Sequence, residues 1–178
     1  MDAGCGTGKY TIEFFEMGAK VIGIDFSKGM LKKAKEKNCS VNFIMADMDS
    51  KLPFKNNSFH KITCAQTVKH LKNMKFTFRE FFRILKNGGF FIFSVTHPEM
   101  SWKGYKLKKD VTVDLEKKTF IHKYKFSDYF SAFYYSGFKI DEIKQLKVSE
   151  KIKSLLKPES YKKVKNRYQI VIFRLKKD

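Results

Sequence analysis

Cysteine and long apolar runs are scarce in this chain of 178 residues. Its three cysteines, Cys5, Cys39 and Cys64, are an odd number placed in a predicted loop, helix end and strand. That pattern indicates neither a disulfide framework nor a metal site. The chain has no run of about 18 apolar residues for a membrane helix, and no basic start leading into an apolar signal stretch. We therefore expect a cytoplasmic protein with no metal and no membrane association.

Arginine is scarce too, although the formal net charge is +19. Lysine supplies almost all of the excess, because the arginines are only Arg79, Arg83, Arg167 and Arg174. Base reading and bidentate phosphate contacts favour arginine, so a lysine surplus is a weaker sign of nucleic-acid recognition. We favour a solvated lysine surface and keep a polyanion partner as the alternative. The lysine clusters that would serve such a partner are Lys106, Lys108 and Lys109, and Lys162, Lys163 and Lys165.

Glycine is sparse at 10 residues, yet three glycines stand at alternate positions near the start of the chain. The run is Asp2-Ala3-Gly4-Cys5-Gly6-Thr7-Gly8. A glycine-rich turn between a strand and a helix lets the backbone approach a ligand closely, because glycine tolerates positive φ and has no Cβ. The free N–H groups of a helix that begins after the turn suit a carboxylate or a phosphate.

The residues after this turn supply the rest of a nucleotide-binding unit. Lys9 to Met17 is predicted to be the helix, with Gly18 as its stop. Lys20 to Ile24 is predicted to be a buried strand that ends at Asp25, where a ribose would offer its hydroxyls to the carboxylate. The ordered combination is far more specific than a glycine repeat alone.

At these residues the chain resembles the class I S-adenosylmethionine-dependent methyltransferases, in particular the methyltransferase type 11 group. The resemblance implies S-adenosyl-L-methionine as cofactor and assigns roles to residues of this chain. Asp2 would order the turn, Asp25 would hold the ribose, and the loop would make room for the methionine part. The loop residues are Gly4, Cys5, Gly6 and Gly8.

Further cofactor contacts follow from the same resemblance. Phe26 and Met30 would lie beside the adenosine, and Asp47 with Met48 would hold the adenine amino group and face. Gln66, after the predicted fourth strand, would face the cofactor. The likeness is specific from the start of the chain to about His97.

Alternating strand and helix patterns predict an α/β protein with a Rossmann-like, doubly wound, mostly parallel sheet in one domain. The resemblance adds an antiparallel last strand and implies that the first strand is largely missing, since only Met1 precedes the motif. We divide the chain into a cofactor-binding half at 1–98, an insertion or lid at 99–126, and a helix with the final strand pair at 127–178. Phenylalanines at helical spacing in the helix predicted from Met74 to Leu85 are expected in the core. Ser27 is predicted to cap a helix that runs to Lys37, and Ser127 to cap one that ends near Ser136 with Gly137 beyond it.

Three histidines are candidates for a general base, which is needed only if the acceptor must lose a proton. His97 is favoured because it closes the predicted fifth strand at the ligand edge, and its alternative role is to pin the turn before Pro98. His70 follows the fourth strand and His122 lies in the insertion. For both, a structural or exposed role is the alternative.

The insertion at 99–126 is predicted to cover the crevice beyond the strand ends. Trp102, Tyr105 and Tyr124, with His122, would line an acceptor pocket there. A hairpin that merely extends the sheet has nearly equal support.

The resulting hypothesis is a methyltransferase that acts on a small-molecule acceptor by in-line transfer. An RNA methyltransferase that uses the lysine clusters is the rival. A truncated, non-catalytic relative is the third possibility, because a missing central strand would leave backbone groups of its neighbours without partners.

Overall fold

The computed structural model describes residues 1–98, 122, 124–148, 150, 153 and 157–178. Trp102 and Tyr105, and with them most of the predicted lid at 99–126, lie outside the described residues. The lysine cluster at 106–109 does so as well.

Seven strands form one mixed sheet in the order β3-β2-β1-β4-β5-β7-β6. Strands β1 to β5 all pair in parallel with one another, whereas β7 pairs antiparallel with both β5 and β6. The prediction of a mostly parallel Rossmann-like sheet with an antiparallel last strand is confirmed. The strands are β1 (Asp2–Ala3), β2 (Ile22–Asp25), β3 (Asn42–Met45), β4 (Phe59–Ala65), β5 (Leu85–Thr96), β6 (Lys139–Lys147) and β7 (Tyr168–Lys176).

Five α-helices and one short 3₁₀ helix connect these strands within the described residues. The α-helices are α1 (Lys9–Glu16), α2 (Lys28–Lys37), α3 (Met74–Ile84), α4 (Phe126–Ser136) and α5 (Pro158–Val164), and the 3₁₀ helix is Val68–His70. None of the described helices is both long enough and apolar enough to span a membrane.

Capping residues set the helix boundaries. Ser27 begins α2, where its hydroxyl accepts a bond from the Met30 N–H at 3.4 Å. Gly137, with φ of 86°, ends α4 in the left-handed conformation. The prediction that Ser127 caps α4 is wrong by two residues, because Lys125 is the N-cap and its N–H donates to the Asp128 carboxylate at 2.7 Å.

The central strand β1 contains two residues and still pairs with both neighbours. The Met1 carbonyl accepts a bond from the Thr63 N–H at 2.9 Å, and the Met1 nitrogen donates to the Lys61 carbonyl at 2.9 Å. On the other side, the N–H groups of Gly4 and Cys5 donate to the Ile24 carbonyl. These bonds satisfy ladder groups of β2 and β4 next to the glycine loop.

Phenylalanine fills the core on the face of the sheet that α3 and α4 cover. Phe78 and Phe81 on α3 are fully buried, and both contact Phe91 of β5 edge to face. Phe78 also stacks with Phe133 of α4. Each fully buried phenylalanine stabilises the fold by about 1.5 to 3 kcal/mol. The prediction that the phenylalanine stripe is core is confirmed, and this packing fixes the strand ends that carry the site.

Candidate cofactor and acceptor site

The residues of the predicted cofactor site lie at one edge of the sheet, beyond the carboxyl ends of β1, β2, β3 and β4. Parallel strands end at the same edge, and a crevice opens there in α/β sheets. The glycine loop follows β1, Asp25 ends β2, and Gln66 follows β4. The sheet order places β1 between β2 and β4, so the loop lies between the other two groups.

Open space surrounds only one of the three loop glycines. A Cβ on Gly4 would lie 2.4 Å from Thr67 Cγ2, and one on Gly8 would lie 2.8 Å from Phe43 Cζ. A Cβ on Gly6 would meet no atom of the described residues within 4 Å. Gly4 and Gly8 are therefore required by the protein's own packing, whereas Gly6, at φ of 56°, faces space that a ligand can fill.

Asp25 is buried and ties the glycine loop to the start of α2. Its Oδ2 accepts a bond from the Gly6 N–H at 2.8 Å, and its Oδ1 accepts one from the Ser27 N–H at 2.9 Å. An ionised carboxylate has about four acceptor sites, so each oxygen can accept another bond from a hydroxyl. Phe26 next to it is 64% exposed and Met30 is half-buried. This geometry fits the ribose of the implied cofactor.

Asp2 is buried and engaged within the protein. Its Oδ2 accepts a bond from the Thr11 hydroxyl at 2.6 Å, and its Oδ1 accepts one from Thr63 at 3.1 Å. Burial raises the pKa of Asp2, while these two hydroxyl bonds oppose that rise. The side chain joins α1 to β4 beneath the loop, which supports the predicted role of ordering the turn.

The two residues predicted at the adenine occupy different environments. Asp47 is exposed, and its Oδ1 accepts a bond from the Asp49 N–H at 2.9 Å. Met48 is buried in the main core, and its carbonyl accepts a bond from the Thr77 hydroxyl at 2.9 Å. Asp47 is thus accessible at the ligand edge, while Met48 anchors the segment to α3.

Gln66 has a left-handed backbone, with φ of 58°, immediately after β4. Such a conformation is uncommon for a residue other than glycine and is often found at functional sites. Its N–H donates to the Ser94 carbonyl at 2.9 Å, and its Oε1 accepts a bond from the Thr96 hydroxyl at 3.2 Å. The side chain is thereby held against β5 at the ligand edge.

Neither cysteine near the strand ends is a nucleophile in this structure. Burial raises the pKa of the Cys5 thiol to about 12, and Asp2 and Asp25 contribute to the rise. Burial raises the pKa of Cys64 to about 12 as well. Both thiols are therefore protonated at neutral pH.

His97 is buried at the end of β5 and packs toward the antiparallel strands. Its Nε2 lies 3.2 Å from Gln145 Oε1 of β6, and its ring stacks on Tyr168 at a centroid distance of 5.8 Å. Phe126 contacts the ring edge to face. These contacts favour the predicted alternative, in which His97 pins the turn, and catalysis by His97 stays a prediction.

His122 and Tyr124 contact the segment that follows β4. The backbone N–H of His122 donates to the Lys69 carbonyl at 2.8 Å, and the Tyr124 hydroxyl donates to the Leu71 carbonyl at 2.7 Å. The two rings stack at 5.5 Å. These bonds bring two of the predicted acceptor residues next to the 3₁₀ helix, which ends at His70.

Lys69 is a residue of this edge that the sequence analysis missed. It is half-buried in the 3₁₀ helix, and burial lowers the pKa of its ammonium. The only available signal was a lysine placed four residues after a strand end, and the many other lysines conceal it.

Comparison with known proteins agrees with the geometry. Residues 1–93 match a family model described as a methyltransferase domain. Over 94 residues the chain is 32% identical to the malonyl-[acyl-carrier protein] O-methyltransferase of Hamiltonella defensa, which covers 53% of this chain and 36% of that protein. Over 96 residues it is 38% identical to phosphoethanolamine N-methyltransferase 1 of Arabidopsis thaliana, covering 50% of this chain and 19% of that protein.

Solved structures share the fold across nearly the whole chain. An S-adenosylmethionine-dependent methyltransferase from Mesorhizobium loti superposes with a TM-score of 0.78 at 23% identity, covering 98% of this chain and 88% of that one. By fold and by ligand edge, the molecule is of the class I methyltransferase type. The chain belongs to the methyltransferase-domain family, for which S-adenosylmethionine is the implied methyl donor. It spans less than half the length of the curated relatives it matches.

Proposed function

We propose that this chain binds S-adenosylmethionine at the carboxyl edge of the sheet and transfers its methyl group to a small-molecule acceptor. The observation that carries the proposal is the open space over Gly6, beside an Asp25 carboxylate whose oxygens the backbone already orients. A preformed carboxylate next to a glycine with no Cβ is the arrangement that a ribose and its attached chain require.

Positioning is the main contribution of the protein. When bound, the sulfonium of the cofactor supplies an electrophilic methyl carbon and an excellent leaving group. Asp25 would hold the ribose, and Asp47 would lie beside the adenine. Alignment of two reactants in one site can account for about 7 to 11 kcal/mol of a barrier.

The transfer is one displacement at the methyl carbon. The acceptor lone pair would form the new bond to carbon, and the carbon–sulfur bond would break with its electron pair left on sulfur. An acceptor that carries a proton loses it to a base, for which His70, His97 and His122 stay candidates. The two relatives named above are an O-methyltransferase and an N-methyltransferase, so the family does not specify the acceptor atom.

The rival acceptor, RNA, has one described feature in its favour. Lys162, Lys163 and Lys165 are all exposed in or next to α5. Of the two relatives named here, one carries the name of a small acceptor, phosphoethanolamine, and the other that of an acyl group on a carrier protein; neither carries the name of a nucleic acid, which supports the small-molecule proposal over RNA.

Calorimetric titration of S-adenosylhomocysteine tests the cofactor site, because this product lacks the reactive methyl. Gly6→Ala and Gly18→Ala form a matched pair, since both glycines have positive φ and an added Cβ at either would have no atom of the part of the chain that the structure describes within 4 Å. Each substitution is expected to lower stability by about 1 to 2 kcal/mol through the left-handed backbone. We expect only Gly6→Ala to weaken S-adenosylhomocysteine binding, by at least about tenfold, or 1.4 kcal/mol.

Two results would contradict the cofactor proposal. One is a folded wild-type protein that does not bind S-adenosylhomocysteine. The other is equal binding by Gly6→Ala and the wild type, which would place the ligand away from the open glycine.

A further inference from the structure

We propose that the methyl acceptor carries a carboxylate or phosphate group, and that Lys69 and His122 hold this anion beyond the end of β4. The inference rests on the proposed methyltransferase function and names the chemical class of its acceptor. Its basis is that a backbone hydrogen bond of 2.8 Å joins the two residues, and that the Lys69 ammonium and the His122 Nε2 each have no polar partner among the described residues.

Lys69 carries a partly desolvated ammonium group that no described anion neutralises. The residue is half-buried, and its ammonium has no hydrogen-bond or ion-pair partner among the described residues. Burial is the cause that lowers its pKa, with no carboxylate opposing the fall. A desolvated cation of this kind is destabilising unless an anion approaches it.

His122 contributes the second group without a partner. Its Nε2 is buried and makes no hydrogen bond to any described residue. Two contacts position His122. Its backbone N–H donates to the Lys69 carbonyl, and its ring stacks on Tyr124. Buried polar atoms in native proteins almost always have partners, so an orphan beside a ligand edge indicates a bound polar group.

The described carboxylates nearby are already engaged elsewhere. Both oxygens of Asp49 accept bonds from the N–H of Lys72, and one also accepts from Asn73. Asp128 accepts from the Lys125 N–H. Burial is the largest cause that raises the pKa of Tyr124, and the charges of these two carboxylates are the next. Neither carboxylate is hydrogen-bonded to Lys69 or His122 among the described residues.

An external anion would give both the Lys69 ammonium and the His122 Nε2 a polar partner. A lysine ammonium binds a carboxylate or phosphate as a point charge, and a histidine nitrogen that carries a proton donates to it. The backbone hydrogen bond between His122 and Lys69 holds the main chains of the two residues side by side. The anion would hold the acceptor beyond the end of β4, the strand end that Gln66 also follows.

Succinate and inorganic phosphate are suitable probes, titrated separately into the protein saturated with S-adenosylhomocysteine. We expect saturable calorimetric binding of at least one of them to the wild type. Lys69→Met should weaken that binding by at least about tenfold. Lys75→Met is the matched control, because it removes the same charge from an exposed lysine at the start of α3 and should leave binding unchanged.

His122→Phe separates the role of Nε2 from that of the ring, because phenylalanine can still stack on Tyr124. We expect a loss of anion affinity of about three- to tenfold with unchanged S-adenosylhomocysteine binding. Equal losses in Lys69→Met and Lys75→Met would overturn the proposal by reducing it to general charge attraction. Absence of anion binding to a protein that does bind S-adenosylhomocysteine would overturn it as well.

A short single-stranded RNA oligonucleotide is the third probe. Competition between this RNA and the small anions, lost in Lys69→Met, would replace the small-molecule assignment with a phosphodiester acceptor. Failure of S-adenosylhomocysteine itself to bind would contradict the cofactor proposal, so the two failures are distinguishable.

Discussion

Two partly or fully buried lysines, at opposite edges of the sheet, differ in what surrounds their ammonium groups. Lys177 follows β7 at the edge where the parallel strands begin, and its Nζ donates to Asn57 Oδ1 at 2.9 Å and to the carbonyls of Phe82 and Leu85 at 2.8 Å. Lys69, at the ligand edge, has no such partner among the described residues. Burial lowers the pKa of both.

The contrast separates a structural cation from a binding cation. All three donors of the Lys177 ammonium are used, and its ammonium also lies over the Phe82 ring at 4.7 Å. One edge of the sheet is therefore closed by the chain's own atoms, and the other keeps polar groups for a ligand. Substitutions at the two edges should have opposite effects on stability.

Lys177→Met should have the largest effect. It leaves two buried carbonyls at the end of α3 without a donor, so we expect the free energy of unfolding to fall by about 2 to 4 kcal/mol. Urea denaturation followed by circular dichroism measures this. Lys176 precedes Lys177 and has Asp178, at 3.5 Å, as its ion-pair partner among the described residues, so Lys176→Met should cost less than about 0.5 kcal/mol. Equal losses in the two variants would show that the Lys177 bonds are not special.

Glu80→Gln tests a second pair at the closed edge and is expected to cost about 1 to 3 kcal/mol. Glu80 is bonded to Arg83 at 2.7 Å and accepts from the Leu52 N–H at 2.9 Å. The Arg83 hydrogen bond is the main cause that lowers the Glu80 pKa below its ordinary 4.5.

The sign of the pH effect follows from that direction. Because the folded pKa is depressed, the ion pair stabilises the protein above pH 4.5, and this contribution is lost as pH falls from 4.5 through the folded pKa. The stability difference between wild type and Glu80→Gln should therefore shrink in acid. Glu16→Gln, at the exposed end of α1, is the control. A difference that does not change with pH would contradict the assignment of the shift to Arg83.

Local signals in the sequence were enough to predict a helix cap, the glycine loop and the aromatic core stripe. The Ser27 cap, the glycine loop and the phenylalanine spacing of α3 each depend on neighbours within a few residues, and the structure has them as expected. The start of α4 was misplaced because serine is a common N-cap residue, whereas this helix begins where the Lys125 N–H donates to the Asp128 carboxylate.

Long-range contacts at the ligand edge had no such signal. Tyr124 and Leu71 are bonded across 53 positions, and the His122 bond to Lys69 is of the same kind. Which of many lysines is desolvated depends on these contacts and on burial, neither of which a local pattern encodes. The sequence could thus identify the residue types of the cofactor half, but not the pairing of Lys69 with His122.

Lys69→Met should have the smallest effect on stability and the opposite sign from Lys177→Met. Removing a half-buried cation without a partner relieves a desolvation cost, so we expect stability to be unchanged or to rise by up to about 1 kcal/mol in the ligand-free protein. Because burial lowers the Lys69 pKa below 10.5, the unfolded chain binds that proton more tightly than the folded protein does. The free energy of unfolding of the wild type should therefore increase relative to that of the variant as pH rises toward 10.5. Urea denaturation at pH 7 and pH 9.5 measures both, with Lys75→Met as the control. A loss of more than about 1 kcal/mol in Lys69→Met would show that the ammonium already has a structural partner, and the two edges of the sheet would then be alike.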